Sequence, residues 1–329
     1  MERRKFITLL GGGAAAWPMS ARAQQVERKR RVGVLMSTSD SDAREVAAVA
    51  ALATALRAHG WTEGKNLELI YRWGAGDPDR MTANARELTA LRPDMLVVKG
   101  ASLPAACEAA GTIPIVFVLL NDAIAEKYVA SFARPNGTVT GFASSELTLV
   151  GKRLALLREL SPGIRRVLYV TNRFVGAGTA DLLAHLGEDA AAAGVTLIDG
   201  SVESSAEIEA AVRLCAQQSD GGIIAAFNAF TTVHREIIVT AASRYRLPAI
   251  YPLRSFTDGG GLFSYGFDQN DQFRQAAAYV DRILRGEKVG DLPVQEPTKF
   301  EMIFNLKTAR ALDLTVPPTL LARVDEVVE

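Results

Sequence analysis

Val32-Gly33-Val34-Leu35-Met36, followed after a short polar turn by Ala43 to His59, is the stretch from which the fold is read. This short apolar run, preceded by Arg30-Arg31 and followed by Ser37-Thr38-Ser39-Asp40, predicts a strand. The next segment carries apolar residues at helical spacing and stops at Gly60. The same alternation repeats outward along the chain. Strands are predicted at Leu67–Tyr71, Met95–Val98 and Ile113–Leu119, with helices at Pro78–Leu91 and Leu103–Ala110. The pattern is interrupted near residues 137–145 and restarts. The second run predicts helices over Glu146–Leu160, Thr179–Ala193, Ala206–Gln217 and Val233–Arg244, and strands over Arg166–Val170, Val195–Ile198 and Gly222–Ala226. Alternating strands and helices imply parallel sheets covered on both faces. The interruption divides them into two doubly wound, Rossmann-like α/β lobes.

After Ala249-Ile250-Tyr251 the reading changes. Asp258-Gly259-Gly260-Gly261 predicts a turn, Leu262–Tyr265 a short strand, Gln272–Leu284 a helix, and Thr298–Asn305 a half-buried strand. A segment that follows two complete lobes must return to the first and cross back. The expected division is therefore residues 24–142 plus about 268–288 in lobe I, and residues 143–267 plus about 289–329 in lobe II.

At the N-terminus, Arg3-Arg4-Lys5 precedes an uncharged segment from Phe6 to Ser20 and then Ala21-Arg22-Ala23. That is the layout of a secretory leader, with cleavage expected after Ala23. The Arg pair, the weakly apolar Gly11-Gly12-Gly13-Ala14-Ala15-Ala16 run and Arg22 resemble a twin-arginine leader. The run is shorter than the roughly 20 apolar residues of a membrane span. No cysteine lies near the cleavage site, so lipidation there is not expected, and a periplasmic location is. The chain holds 37 basic and 37 acidic residues. Losing the leader, which carries four basic residues and one acidic one, leaves the mature chain net negative. A nucleic-acid partner, which calls for a basic footprint, is not expected. Cys107 and Cys215 fall in different lobes and are read as buried free thiols.

Further landmarks lie along the whole mature chain. They are Arg31-Val32-Gly33-Val34-Leu35, Gly60-Trp61-Thr62-Glu63-Gly64-Lys65-Asn66, Tyr71-Arg72-Trp73 and Ile113-Pro114-Ile115-Val116-Phe117. Ala133-Arg134-Pro135-Asn136-Gly137-Thr138-Val139-Thr140-Gly141, Pro297-Thr298-Lys299-Phe300-Glu301 and Leu314-Thr315-Val316-Pro317-Pro318 continue the series. In these stretches the chain resembles the ABC transporter substrate-binding proteins related to the tryptophan- and amino-acid-binding lipoproteins. The resemblance implies a class I periplasmic-binding-protein fold, with two lobes joined by a three-segment hinge and a small-molecule solute held between them. It also implies a permease and an ATPase encoded separately. The chain has no P-loop of its own.

In open α/β sheets ligands bind beyond the carboxyl ends of the strands, where helix N-termini present unpaired N–H groups. In lobe I this rule selects Ser37, Ser102, Asn121 and Asp122, with Ser144 just past the first crossover. In the second it selects Asn172, Phe227 and Asn228, then Tyr251, Arg254, Ser255, Tyr265 and Asp268 around the later strands. Ser102 is either a helix cap or a ligand contact. Asp122, which falls on an Asp of the family's cleft pattern, either meets a ligand ammonium or braces its loop. Arg254 either clamps a carboxylate or joins a hinge ion pair. Tyr251-Pro252-Leu253-Arg254 departs from the small polar residues of the amino-acid-binding members.

No catalytic set emerges. In Gly100-Ala101-Ser102-Leu103-Pro104, Pro104 replaces the second glycine of a nucleophile elbow. His59, His185 and His234 all fall in predicted helices, away from the strand ends. In Gly176-Ala177-Gly178-Thr179-Ala180-Asp181, an acid stands where a dinucleotide fingerprint has glycine. No cofactor or metal is expected. The expected function is capture of a small amino acid or organic carboxylate, aromatic ones included, by a monomeric receptor that closes on it. A ligand-sensing receptor and a periplasmic nucleotide-dependent enzyme are the alternatives.

Overall fold

The computed structural model describes residues 29–173 and 178–329. The leader Met1–Ala23 lies outside the described residues, as do Gly176 and Ala177 of the glycine-rich turn.

Two α/β lobes with largely parallel sheets make up the fold. The first sheet holds β1 (Arg30–Met36), β2 (Leu67–Trp73), β3 (Met95–Lys99), β4 (Ile115–Leu120) and β5 (Val139–Ala143). Its order is β2-β1-β3-β4-β5, with every pair parallel. β3, β4 and β5 are buried along their whole length, as expected of strands with helices on both faces. The second sheet holds β6 (Arg166–Asn172), β7 (Thr196–Val202), β8 (Gly221–Ala225), β9 (Ala249–Tyr251), β10 (Phe263–Phe267), β11 (Phe300–Asn305) and β12 (Glu326–Val328). It runs β12-β11-β10-β9-β8-β6-β7, and only the β10–β11 pair is antiparallel.

The structure adds to the sequence reading in three places. The interruption at 137–145 contains a full strand, β5. The predicted Val233–Arg244 helix is two helices, Ala229–Val233 and Arg235–Arg244, meeting at His234. The C-terminus supplies the helices Leu306–Ala311 and Pro318–Leu321 and the edge strand β12.

The chain passes between the sheets three times. β5 leads into the helix Glu146–Leu160, β10 leads into the helix Gln269–Leu284, and residues 292–299 return to β11. The last passage is tied to β5. Gln295 N–H donates to Gly141 O at 2.9 Å, and Thr140 Oγ1 donates to Leu292 O at 2.6 Å.

Gln269–Leu284 packs along Ala43–Ala58. Val49, Leu52 and Leu56 on one helix, and Phe273, Val280 and Leu284 on the other, are buried. Ala48, Ala276 and Ala277 keep the interface shallow. Each fully buried aliphatic or aromatic side chain here contributes about 1.5–3 kcal/mol. Trp61 Nε1–H donates to Asp281 Oδ1 at 2.8 Å and pins the end of the pair.

At the second passage the backbone of β10 runs against the Pro252 carbonyl. A Cβ on Gly266 would sit 1.8 Å from that oxygen, so only glycine fits.

Candidate functional site

A cleft of about 730 Å³ opens between the carboxyl edges of the two sheets. The first lobe contributes Ser37 after β1, Lys99 and Gly100 at the end of β3, and Asn121 after β4. The second contributes Thr171 and Asn172 at the end of β6, Glu203 after β7, and Ala226, Phe227 and Asn228 after β8. Each position follows from strand direction, because parallel strands end on one edge of their sheet and the chain must turn there. Gly100 makes its turn at φ +49°, a left-handed conformation that glycine adopts without strain.

The walls are mostly apolar. Met81, Ile124, Tyr128, Phe227 and Phe230 line the cleft. Phe227 is held edge-on against Phe267, ring centroids 4.9 Å apart. Phe230 packs on His234 at 4.3 Å, and the His234 Nδ1 lies 2.9 Å from Phe230 O. His234 thus faces the cleft rather than standing apart from the strand ends, because the helix breaks at this residue.

Three of the charges lining the cleft, Lys99, Glu146 and Glu203, are paired. Lys99 and Glu45 form a buried ion pair. Burial alone would raise Glu45, but the Lys99 charge together with side-chain hydrogen bonds outweighs it and holds the carboxyl below its usual range. Glu146, the first residue of its helix, accepts from Arg153 Nη1 at 2.7 Å and from Phe227 N–H at 3.1 Å, both at Oε1. Arg153 and Glu146 are essentially fully buried. Arg153 Nε also donates to Tyr265 O at 2.8 Å, joining the first and second passages. Glu203 pairs with Arg173 at 3.0 Å.

Of the residues selected from sequence, Ser37, Asn121, Asn172, Phe227 and Asn228 line this cleft. Asn228 also caps the helix Ala229–Val233, accepting from Thr231 N–H at 2.9 Å, and its Nδ2 donates to Thr171 Oγ1 at 3.2 Å. Ser102 and Ser144 are wholly buried behind the lining, and neither hydroxyl has a hydrogen-bond partner among the described residues. Asp122 accepts from Ser145 N–H at 2.8 Å and braces the first passage, where Ser145 is left-handed at φ +52°. Tyr251 is buried in the core, stacked on Phe256 at 5.1 Å. Tyr265 stacks on Phe300 at 6.2 Å.

Arg254, Ser255 and Asp268 line a second cavity of about 290 Å³ beside Asp42, Arg44 and Glu301. Both Arg254 Nη atoms donate to the Glu326 carboxylate at 3.0 Å. Asp268 caps Gln269–Leu284 and pairs with Arg274 and Lys299, each at 3.0 Å. At this edge two ion pairs join the lobes, Arg235 with Asp42 at 2.7 Å and Arg44 with Asp258. Lys99, Glu146, Tyr169 and Phe230 line the cleft without having been selected by the strand-end rule, and His234, expected in a helix away from the strand ends, joins them. An acid opening a helix and a tyrosine within an apolar strand both have ordinary structural readings.

Burial pushes the Asp122 carboxyl up to about 6, helped by the nearby Glu296 and Glu146 charges and opposed by the Ser145 N–H. A carboxyl raised in the folded state favours folding when protonated. Stability is therefore expected to increase as pH falls from about 6 to about 4, by on the order of 1–3 kcal/mol from this group. Thermal unfolding of Asp122→Asn, which keeps the acceptor oxygen, should lose that part of the pH dependence. An unchanged profile would remove Asp122 as its source.

Among the described residues no group of three or more His, Cys, Asp or Glu could hold a metal ion, and no helix is long and apolar enough to cross a membrane. Cys107 and Cys215 are free thiols.

Comparison with known proteins gives concordant matches. A family model described as ABC transporter substrate binding protein matches residues 31–328. A tyrosine-binding protein of Clostridioides difficile is 24% identical over 263 residues, 79% of this chain and 74% of that one. A conserved domain protein from Vibrio cholerae superposes with a TM-score of 0.83 at 29% identity, over 91% of this chain and all of the other. An ABC domain from Streptococcus pneumoniae in complex with L-Trp gives a TM-score of 0.83 at 20% identity, with the same coverage.

Proposed function

Because the chain belongs to the family of ABC transporter substrate-binding proteins, we propose that it captures an amino acid with an aromatic or large apolar side chain between its lobes. The observation that carries this reading is the cleft of about 730 Å³ built jointly by the strand ends of both sheets. That volume lies within the usual range for small-molecule sites, which pair apolar walls with a few placed polar groups. Phe227, Phe230, Met81 and Ile124 offer the apolar walls. Ser37, Asn121, Asn172 and Asn228 offer the polar groups. The turn at Gly100 and Ala101 offers backbone N–H groups to the solute carboxylate. Relatives described as binding tyrosine or L-Trp support an aromatic solute.

A solute touching both walls favours the closed arrangement, because it makes its full set of contacts only there. The lobes close by hinge motion at the three passages. The protein is exported, loses its leader after Ala23, acts as a monomer in the periplasm, and hands solute to a separately encoded permease and ATPase. The arginine pair and the Ala21-Arg22-Ala23 site support export.

Thermal unfolding of residues 24–329 over a library of amino acids, organic acids, sugars and nucleotides tests the reading. Solute at 100 times its Kd adds about 2.7 kcal/mol. Aromatic amino acids are expected to raise the midpoint by several degrees and to make the particle more compact in small-angle scattering. A response to sugars alone would overturn the solute assignment, and binding without compaction would overturn closure.

A further inference from the structure

Glu146 borders the cleft and carries an oxygen that its structural role does not use. Its Oε1 takes both the Arg153 and the Phe227 hydrogen bonds. Its Oε2 is buried without a hydrogen-bond partner among the described residues. The Tyr169 hydroxyl is in the same condition, on a fully buried ring that also borders the cleft. Leaving a charged acceptor and a hydroxyl buried and unmatched carries a desolvation cost that ordinary packing does not require. Phenylalanine would fill the Tyr169 position without that cost.

We propose that Glu146 Oε2 and the Tyr169 hydroxyl oxygen form the subsite for a primary ammonium on the solute. This rests on the amino-acid reading of the same cleft and specifies how that class is told from other carboxylates. A carboxylate offers about four lone-pair sites, and two on Glu146 are occupied. Lys99 is held by Glu45 and Lys127 is exposed. Arg153 gives Nη1 to Glu146 Oε1 and Nε to Tyr265 O, and its Nη2 is buried without a hydrogen-bond partner among the described residues. A solute ammonium gives Oε2 a charge-assisted hydrogen bond and turns a second N–H to the Tyr169 oxygen. Burial and the Glu146 charge both push the Tyr169 phenol up, so it stays a neutral hydroxyl and does not repel the carboxylate. Arg153 fixes Oε1 and leaves Oε2 for the solute. Oε2 and the Tyr169 hydroxyl are both covered in the free protein, so the subsite opens as the solute enters.

The test compares each amino acid with the hydroxy acid that differs only at the ammonium. The pairs are L-tryptophan with indole-3-lactate, L-tyrosine with 4-hydroxyphenyllactate, and L-leucine with 2-hydroxyisocaproate. Affinities are measured by calorimetry on residues 24–329 and on Tyr169→Phe. The amino acid is expected to bind at least about 30-fold more tightly than its partner. Tyr169→Phe should weaken the amino acid about 10-fold and leave the hydroxy acid unchanged. The variant's own unfolding midpoint should be equal or higher, because the lost hydroxyl had no partner. Equal binding within a pair, or a Tyr169→Phe effect of the same size on both members, would overturn the ammonium subsite while keeping solute capture. Failure of all six compounds to bind the parent protein would overturn the amino-acid reading and the subsite with it.

Discussion

Replacing Arg153 with Met is expected to destabilise the protein by about 3–5 kcal/mol, the cost of breaking a buried ion pair from one side. Arg153 is wholly buried and its three bonding roles converge. It neutralises Glu146, fixes Glu146 Oε1, and holds the Tyr265 carbonyl of β10. Met fills a similar volume, so the loss is electrostatic rather than a cavity effect. Glu146 is left charged among apolar side chains, and the Tyr265 carbonyl loses its donor. Removing both charges, as Glu146→Leu with Arg153→Met, should recover part of the loss, because an apolar pair needs no compensation. Denaturant unfolding of the two variants and the parent checks the order. A single variant within about 1 kcal/mol of the parent would show that Glu146 is neutral or solvated in the fold.

Gly266→Ala is expected to act through backbone geometry and to cost at least about 3 kcal/mol, at the upper end of overpacking effects. The added carbon would meet the Pro252 carbonyl oxygen at 1.8 Å. Main chain supplies the obstacle, so no side chain can swing away. Relief requires β10 to separate from the Pro252 turn just before the second passage. The variant should therefore lose solute affinity along with stability, whereas Gly60→Ala, with open space around the added carbon, tests only the left-handed φ of +92°. Solute calorimetry beside thermal unfolding separates the two. A stable Gly266→Ala with parental affinity would mean that the turn yields freely.

The two lobes and most elements were legible because strand and helix periods alternate along the chain. β5 was not. Its Thr-Gly sequence lacks the aliphatic density of β3 and β4, and Thr140 uses its hydroxyl on the third passage rather than as a surface group. β12 was missed because a three-residue edge strand next to acids has little periodicity to show. The strand-end rule found Ser37, Asn121, Asn172, Phe227 and Asn228, since it fixes which edge of the sheet a residue occupies. It does not fix which face the side chain takes. Tyr251 ends a strand yet turns into the core, and Arg254 is drawn away by Glu326, seventy-two residues later in the chain. Glu146 and Tyr169 were invisible because their roles depend on bonds left unmade, and those exist only once the neighbours are in place.

The helix Gln269–Leu284 has a consequence for synthesis. The apolar face of Ala43–Ala58 is made early, yet the helix that covers it comes near the end of the chain, after the strands of the other sheet. β10 likewise gains β11 only later. Neither half is contiguous, so a nascent chain leaving the ribosome cannot finish its first half before most of its second. A polypeptide halted at residue 267 would expose Val49, Leu52 and Leu56 to water and to chaperones. Both halves are completed only by residues that follow 267.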